Sequence, residues 1–151
     1  MPRSKPPPIP TLALATAGEV EQQFYAALRN ADIEALMALW ADDDEVLCVH
    51  PGGTRFIGHA AVRASFEAIF TNGPIDIHPE KVRCLDAPAL AVHSVLERVQ
   101  VREARGVASG WVVASNVYVE TPAGWRIVAH HASPGVQGEP QEGADPAAVL
   151  H

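Results

Sequence analysis

The stretch Trp40–Val62, WADDDEVLCVHPGGTRFIGHAAV, decides how this chain is read. It leaves a helical pattern through an acidic turn and enters a short apolar strand at Val46–Val49 that ends in His50. Pro51-Gly52-Gly53 supplies turn chemistry, and Gly58-His59 opens a new helix. Upstream, Thr16 is placed to cap a helix whose first turn carries Glu19. Val20, Phe24, Ala27 and Leu28 recur on it at helical spacing. Asn30-Ala31-Asp32 interrupts that helix, and Asp32 caps a second, short one bearing Ile33, Leu36, Met37 and Trp40. Downstream, Val62, Phe66, Ile69 and Phe70 line one side of a third helix, which stops at Asn72-Gly73-Pro74.

From Ile75 the hydrophobic period changes to two. Strands are predicted near Ile75–Leu85, Ala89–Arg102, Gly110–Thr121 and Trp125–Ser133, joined by hairpins at Ala87-Pro88, Ala104–Gly106 and Pro122-Ala123-Gly124. Helices followed by long alternating strands predict an α+β fold, a curved antiparallel sheet wrapped over N-terminal helices. The expected organisation is a Pro-rich disordered leader over 1–15, one domain over 16–134 and a flexible tail over 135–151.

At 151 residues the chain is long enough to bury one core. Its formal net charge of −7 argues against nucleic acid and anionic membranes as partners, because both require a basic face. Cys48 and Cys84 are too few for a disulfide framework and lack metal-ligand spacing, so both read as buried free thiols. With no long apolar span and no signal-peptide pattern, the expected setting is cytoplasmic.

Three segments carry a resemblance: FYAALRNADIEALMALWADD at 24–43, FIGHAAVRASFEAIF at 56–70 and NVYVETPAGWRIVAHHASP at 116–134. With the element order, they resemble the nuclear transport factor 2-like superfamily, and within it the SnoaL-like and ketosteroid-isomerase-like small proteins. The resemblance covers about 120 residues. It implies a cystatin-like cone with a deep pocket between sheet and helices, commonly in a homodimer packed through the sheet. Its members include isomerases, cyclases, dehydratases and epoxide hydrolases. A ketosteroid isomerase needs a carboxylate base with a Tyr and a protonated Asp as oxyanion hole. That trio is not placed here, since the only tyrosines are Tyr25 and Tyr118 and no Asp lies inside the last three long strands.

Several residues suit chemistry or binding. His50 ends the short strand, where a neutral imidazole fits proton transfer. His93 and Glu97 share one face of the second long strand with Ala91, Val95 and Val99. Glu97 in an apolar cavity would gain a raised pKa, whereas a cross-sheet partner such as Arg83 would make it structural. Asn116 and Tyr118 share a face of the third strand and suit polar anchoring. His130 and His131 must face opposite sides, and strict alternation groups His131 with Trp125, Ile127 and Ala129, the more apolar face. That places His131 inside. Asp42–Asp44 read as a solvated turn. No HExxH, CxxC or phosphate-loop spacing exists, so neither metal nor cofactor is expected.

The chain is therefore expected to be a small-molecule pocket protein with cofactor-independent acid/base chemistry, of isomerase, lyase or hydrolase type, on an apolar substrate. His50, His131 and Glu97 are its expected catalytic residues, and Trp40, Asn116, Tyr118, His93 and Phe24 its ligand contacts. The alternative is a non-catalytic oligomerisation or partner-binding module resembling the association domain of the calmodulin-dependent kinases. Both readings allow a homodimer.

Overall fold

The computed structural model describes residues 14–135 and 138. The chain runs α1 (Ala17–Asn30), α2 (Ile33–Ala38), β1 (Leu47–Val49), β2 (Arg55–Ile57) and α3 (His59–Phe70). Four long strands follow: β3 (Asp76–Ala87), β4 (Leu90–Glu103), β5 (Gly106–Thr121) and β6 (Gly124–Pro134). The six strands form one curved sheet in the order β2-β1-β6-β5-β4-β3, antiparallel except for the parallel pair of β1 and β6. This is the α+β architecture expected.

Local chemistry sets the helix ends. The Thr16 hydroxyl accepts from the Glu19 amide at 3.1 Å, and the Asp32 carboxylate accepts from the Ala35 amide at 3.1 Å. α1 is closed by Ala31 in the left-handed conformation at φ 49°, its amide returning to Ala27 and Leu28 carbonyls. After α2 the chain is tied to β6, where Ile127 donates to the Leu39 carbonyl at 2.8 Å and Ala41 donates to the Ile127 carbonyl at 2.9 Å. The helices bury Val20, Phe24, Leu28, Leu36, Val62 and Phe66 against inward residues of the sheet.

Two bulges modify that sheet. On β6, the register against β5 steps from Val117↔Ala129 to Tyr118↔Ile127, which leaves Val128 as the extra residue. Alternation therefore changes phase within the strand, so Ile127 and His130 both point inward although one is odd-numbered and the other even. On β3, an extra residue lies between Glu80 and Arg83, with Lys81 at φ 48°.

The leader and tail expected at 1–15 and 135–151 lie, apart from Leu14, Ala15, Gly135 and Gly138, outside the described residues. Leu14 does not behave as leader: it is 2% exposed, and its carbonyl accepts from the Trp125 amide at 2.9 Å. An apolar side chain that can cover the end of β6 gains more from burial than a mobile segment would retain in entropy. Among the described residues no helix is long and apolar enough to cross a membrane.

Ala31 carries a Cβ in a conformation that costs an L-residue about 1–2 kcal/mol. Ala31→Gly should therefore stabilise the fold by about 1 kcal/mol in urea denaturation, with an unchanged m-value.

Candidate functional site

The concave side holds two strings of buried polar groups. In the first, Tyr25 on α1 donates its hydroxyl hydrogen to Glu97 Oε2 on β4 at 2.6 Å. Asn116 Nδ2 on β5 donates to the Tyr25 oxygen at 3.1 Å, and Asn116 Oδ1 faces His130 Nδ1 on β6 at 2.5 Å. Since Asn116 offers only an acceptor on that side, His130 must carry its proton on Nδ1. In the second, Glu21 Oε2 accepts from Tyr118 at 2.7 Å and pairs with His93 Nδ1 at 2.8 Å. Helical spacing brings Glu21, Tyr25 and Leu28 onto one buried stripe of α1.

Burial tunes these groups. Loss of solvent lifts the Glu97 pKa, the Tyr25 bond draws it partly back, the Glu21 charge lifts it further, and it settles at about 7. Burial pushes His130 down to about 3, helped by the positive forms of His50 and His131. His130 is therefore a neutral imidazole at cell pH. Burial also raises both phenols, with the neighbouring carboxylates acting in the same direction.

The expected residues separate clearly. Phe24, Trp40, His93, Glu97, Asn116 and Tyr118 all lie inside, each at most 4% exposed. Glu97 bonds Tyr25 instead of an arginine, and Arg83 sits in the opposite register position to Ser94. His131 is the correction: it is exposed and pairs across from outward Ser115, while His130 takes the inner position opposite Asn116. The Val128 bulge is the reason, because it reverses the alternation on which the inward assignment rested. Cys84 is a second correction, being exposed where Cys48 is buried. Asp42–Asp44 are exposed, and Asp43 accepts from the Glu45 amide at 2.8 Å, as a solvated turn does.

His50 stands at a boundary between this packed interior and an open cleft. Its Nε2 lies 2.9 Å from Ser65 Oγ, whose own hydrogen goes to the Val62 carbonyl at 2.7 Å. Ser65 can then only accept, so His50 carries its hydrogen on Nε2 and leaves Nδ1 with a lone pair. Among the described residues no hydrogen-bond donor reaches Nδ1. The ring is held edge-on to Phe66 at 4.8 Å and tilted to Phe56 at 5.9 Å. Partial burial lowers its pKa below the usual 6.5. The adjoining cleft, about 610 Å³, is bordered by Gly53, Thr54, Phe56, Ala61, Ala64 and Ala68 and is almost wholly apolar.

Sequence reading did not single out Tyr25, Glu21, Ser65 or His130 for the site. A signal existed for the first two, since an acid three places before Phe24 and a phenol three places before Leu28 interrupt an apolar stripe.

Residues 18–137 match the family model described as a SnoaL-like domain. A putative calcium/calmodulin-dependent protein kinase type II association domain from Thiobacillus denitrificans is 32% identical, with a TM-score of 0.74 over 81% of this chain and 97% of that chain. A putative dehydratase of the NTF2-like family from Streptomyces avermitilis is 29% identical, with a TM-score of 0.71 over 79% of this chain and 93% of that one. Among curated proteins, the F-box protein SKIP8 of Arabidopsis thaliana is 26% identical over 117 residues, 76% of this chain and 47% of that protein. The chain thus spans about half the length of that curated relative.

Two titrations should oppose each other in stability. Glu97, raised from 4.5 to about 7, holds a proton in the fold that the unfolded chain has lost, so its contribution is full below pH 4.5 and is lost as pH rises to about 7. His130, lowered from 6.5 to about 3, stays neutral while the unfolded chain charges, so its contribution is full above 6.5 and is lost as pH falls to about 3. Urea midpoints from pH 3 to 8 should be comparatively flat between 4.5 and 6.5, and Glu97→Gln should convert that region into a steady rise.

Proposed function

The chain belongs to the SnoaL-like domain family of the nuclear transport factor 2-like superfamily, and on that footing we propose that it binds an apolar small molecule beside His50 and moves a proton on it without a cofactor. One observation carries this reading: an imidazole fixed through Ser65, with a free Nδ1 lone pair, stands on an almost wholly apolar cleft. A base in such a place needs no prior deprotonation, because its lowered pKa keeps it neutral at cell pH. Glu97 and His130 are sealed beneath, and their part is to hold α1 to the sheet and to set the field felt by His50. The two free thiols are in keeping with a reducing, cytoplasmic setting.

The chemistry is tested by solvent deuterium exchange into a panel of hydrophobic ketones, followed by NMR. His50→Ala should slow exchange by about 10²–10⁴-fold, the usual contribution of a positioned base. The native rate should fall in acid at a lower pH than a free imidazole would impose, following the lowered imidazole pKa. An unchanged rate in His50→Ala removes the mechanism.

A second reading, self-association, is favoured by the filled interior, where Phe24, Tyr25, Val95 and Tyr118 occupy the space a deep ligand would need. The outer sheet face offers Leu96, Val113 and Ser133 in one register row and Val92, Val117 and Ala129 in another, a surface suited to a homodimer. Val113 is 37% exposed there. Val113→Glu should halve the mass found by light scattering, and a native protein that is already monomeric rejects this assembly.

A further inference from the structure

At the N-terminal end of α1, away from His50, lies another cleft of about 450 Å³. Its walls include Ala17, Gly18, Cys84, Asp86, His93 and Trp125. Cys84 is exposed, and its direct partner across the β3–β4 ladder is His93. Side chains directly opposite in such a ladder stand about 4.5–5.5 Å apart at Cβ. The His93 side chain is only 5% exposed, and its Nδ1 pairs at 2.8 Å with the buried Glu21 carboxylate. That carboxylate is itself held by the Tyr118 hydroxyl at 2.7 Å. With Nδ1 donating to Glu21, His93 presents a bare Nε2 to the cleft. Its nearest described carboxylate there, Asp86, is 3.8 Å away, beyond hydrogen-bond reach. Ala17 and Gly18, in the first turn of a capped fourteen-residue helix whose leading amides have no partner within the helix, border the same space.

We propose that this cleft is a thiol-based acyl-transfer site, with Cys84 as nucleophile, His93 as its base, Glu21 as the positioning residue for the imidazole and a small acyl ester or thioester as the substrate class. The arrangement supplies nucleophile, base and orienting carboxylate in the order such chemistry needs. The Cys84 proton passes to His93 Nε2 as sulfur bonds to the acyl carbon. The carbonyl electrons return to expel the alcohol or thiol, which leaves with the proton from His93. Water then attacks the thioester carbonyl, His93 takes its proton and returns it to sulfur, and a carboxylic acid and the free thiol result. The developing oxyanion faces the Ala17 and Gly18 amides. Slight burial and the carboxylates of Asp86 and Glu21 hold the resting thiol protonated. Reaction therefore depends on the base to take the thiol proton. Cys48, whose thiol is pushed up to about 12 inside the core, stays silent.

The test uses p-nitrophenyl acetate with the full chain at pH 7.5, and mass spectrometry locates the acetyl group. The expected result is an acetyl group located on Cys84, formed at least about 10-fold faster than on a small free thiol at the same pH. His93→Gln should slow it by about 10²-fold, the scale of a lost general base. Asp86→Asn, which removes a negative charge beside the forming thiolate, should speed it. His50→Ala should leave it unchanged, so that this site and the His50 cleft stand or fall separately. Should His93→Gln fail to fold by circular dichroism, the native chain is compared with the chain in 8 M urea, where acetylation should slow to the small-thiol rate. Equal rates in native and His93→Gln protein, or a native rate no faster than the small thiol or the unfolded chain, overturn the proposal.

Discussion

The bond from Tyr25 to Glu97 is the constraint on which the interior depends. A carboxyl 2% exposed among Phe24, Val95 and Tyr118 has no water to turn to, so it must find a partner in protein. The phenol that meets it comes from α1, and the Asn116 amide that completes it comes from β5. One buried acid thus fixes the height and rotation of a helix against two strands. Removing either partner would leave a desolvated polar group, which costs more than the bond contributes. Apolar packing alone would tolerate α1 at several rotations, whereas this string tolerates one.

That dependence explains what could be read from the sequence and what could not. Element types and their order were legible because helical spacing in Val20–Leu28 and Val62–Phe70 contrasts with alternation after Ile75. The inner face of β4 was legible for the same reason: Ala91, His93, Val95 and Glu97 alternate without interruption, and all are buried. β6 defeated the same rule. Its inner face runs Ile127, His130, Ala132, and nothing in the residue types around Val128 announces the added residue. Bulges are decided by how two strands accommodate each other, which is tertiary information.

The candidate site shows the same division. His50 could be found from its place at a strand end before Pro-Gly-Gly, but its useful tautomer could not. The tautomer rests on Ser65, fifteen residues away, and on the Val62 carbonyl that claims the serine hydrogen. Nor could the opposite fates of Cys48 and Cys84 be read. Both stand in strands, yet Cys48 packs within the core cluster while every residue of 81–90, at the end of β3 and its hairpin, is exposed. Coverage by a neighbouring element, not the character of the strand, separates the two thiols.

The Lys81 irregularity has a bearing on the company this protein keeps. β3, twelve residues long, is one rim of the sheet, and a rim strand's outward peptide groups invite the strand of another molecule to extend the ladder. The left-handed residue at 81 and the proline at 79 break that row near its middle. The opposite rim, β2, is only three residues long. With both rims blunted, end-to-end growth of the sheet into fibres is discouraged.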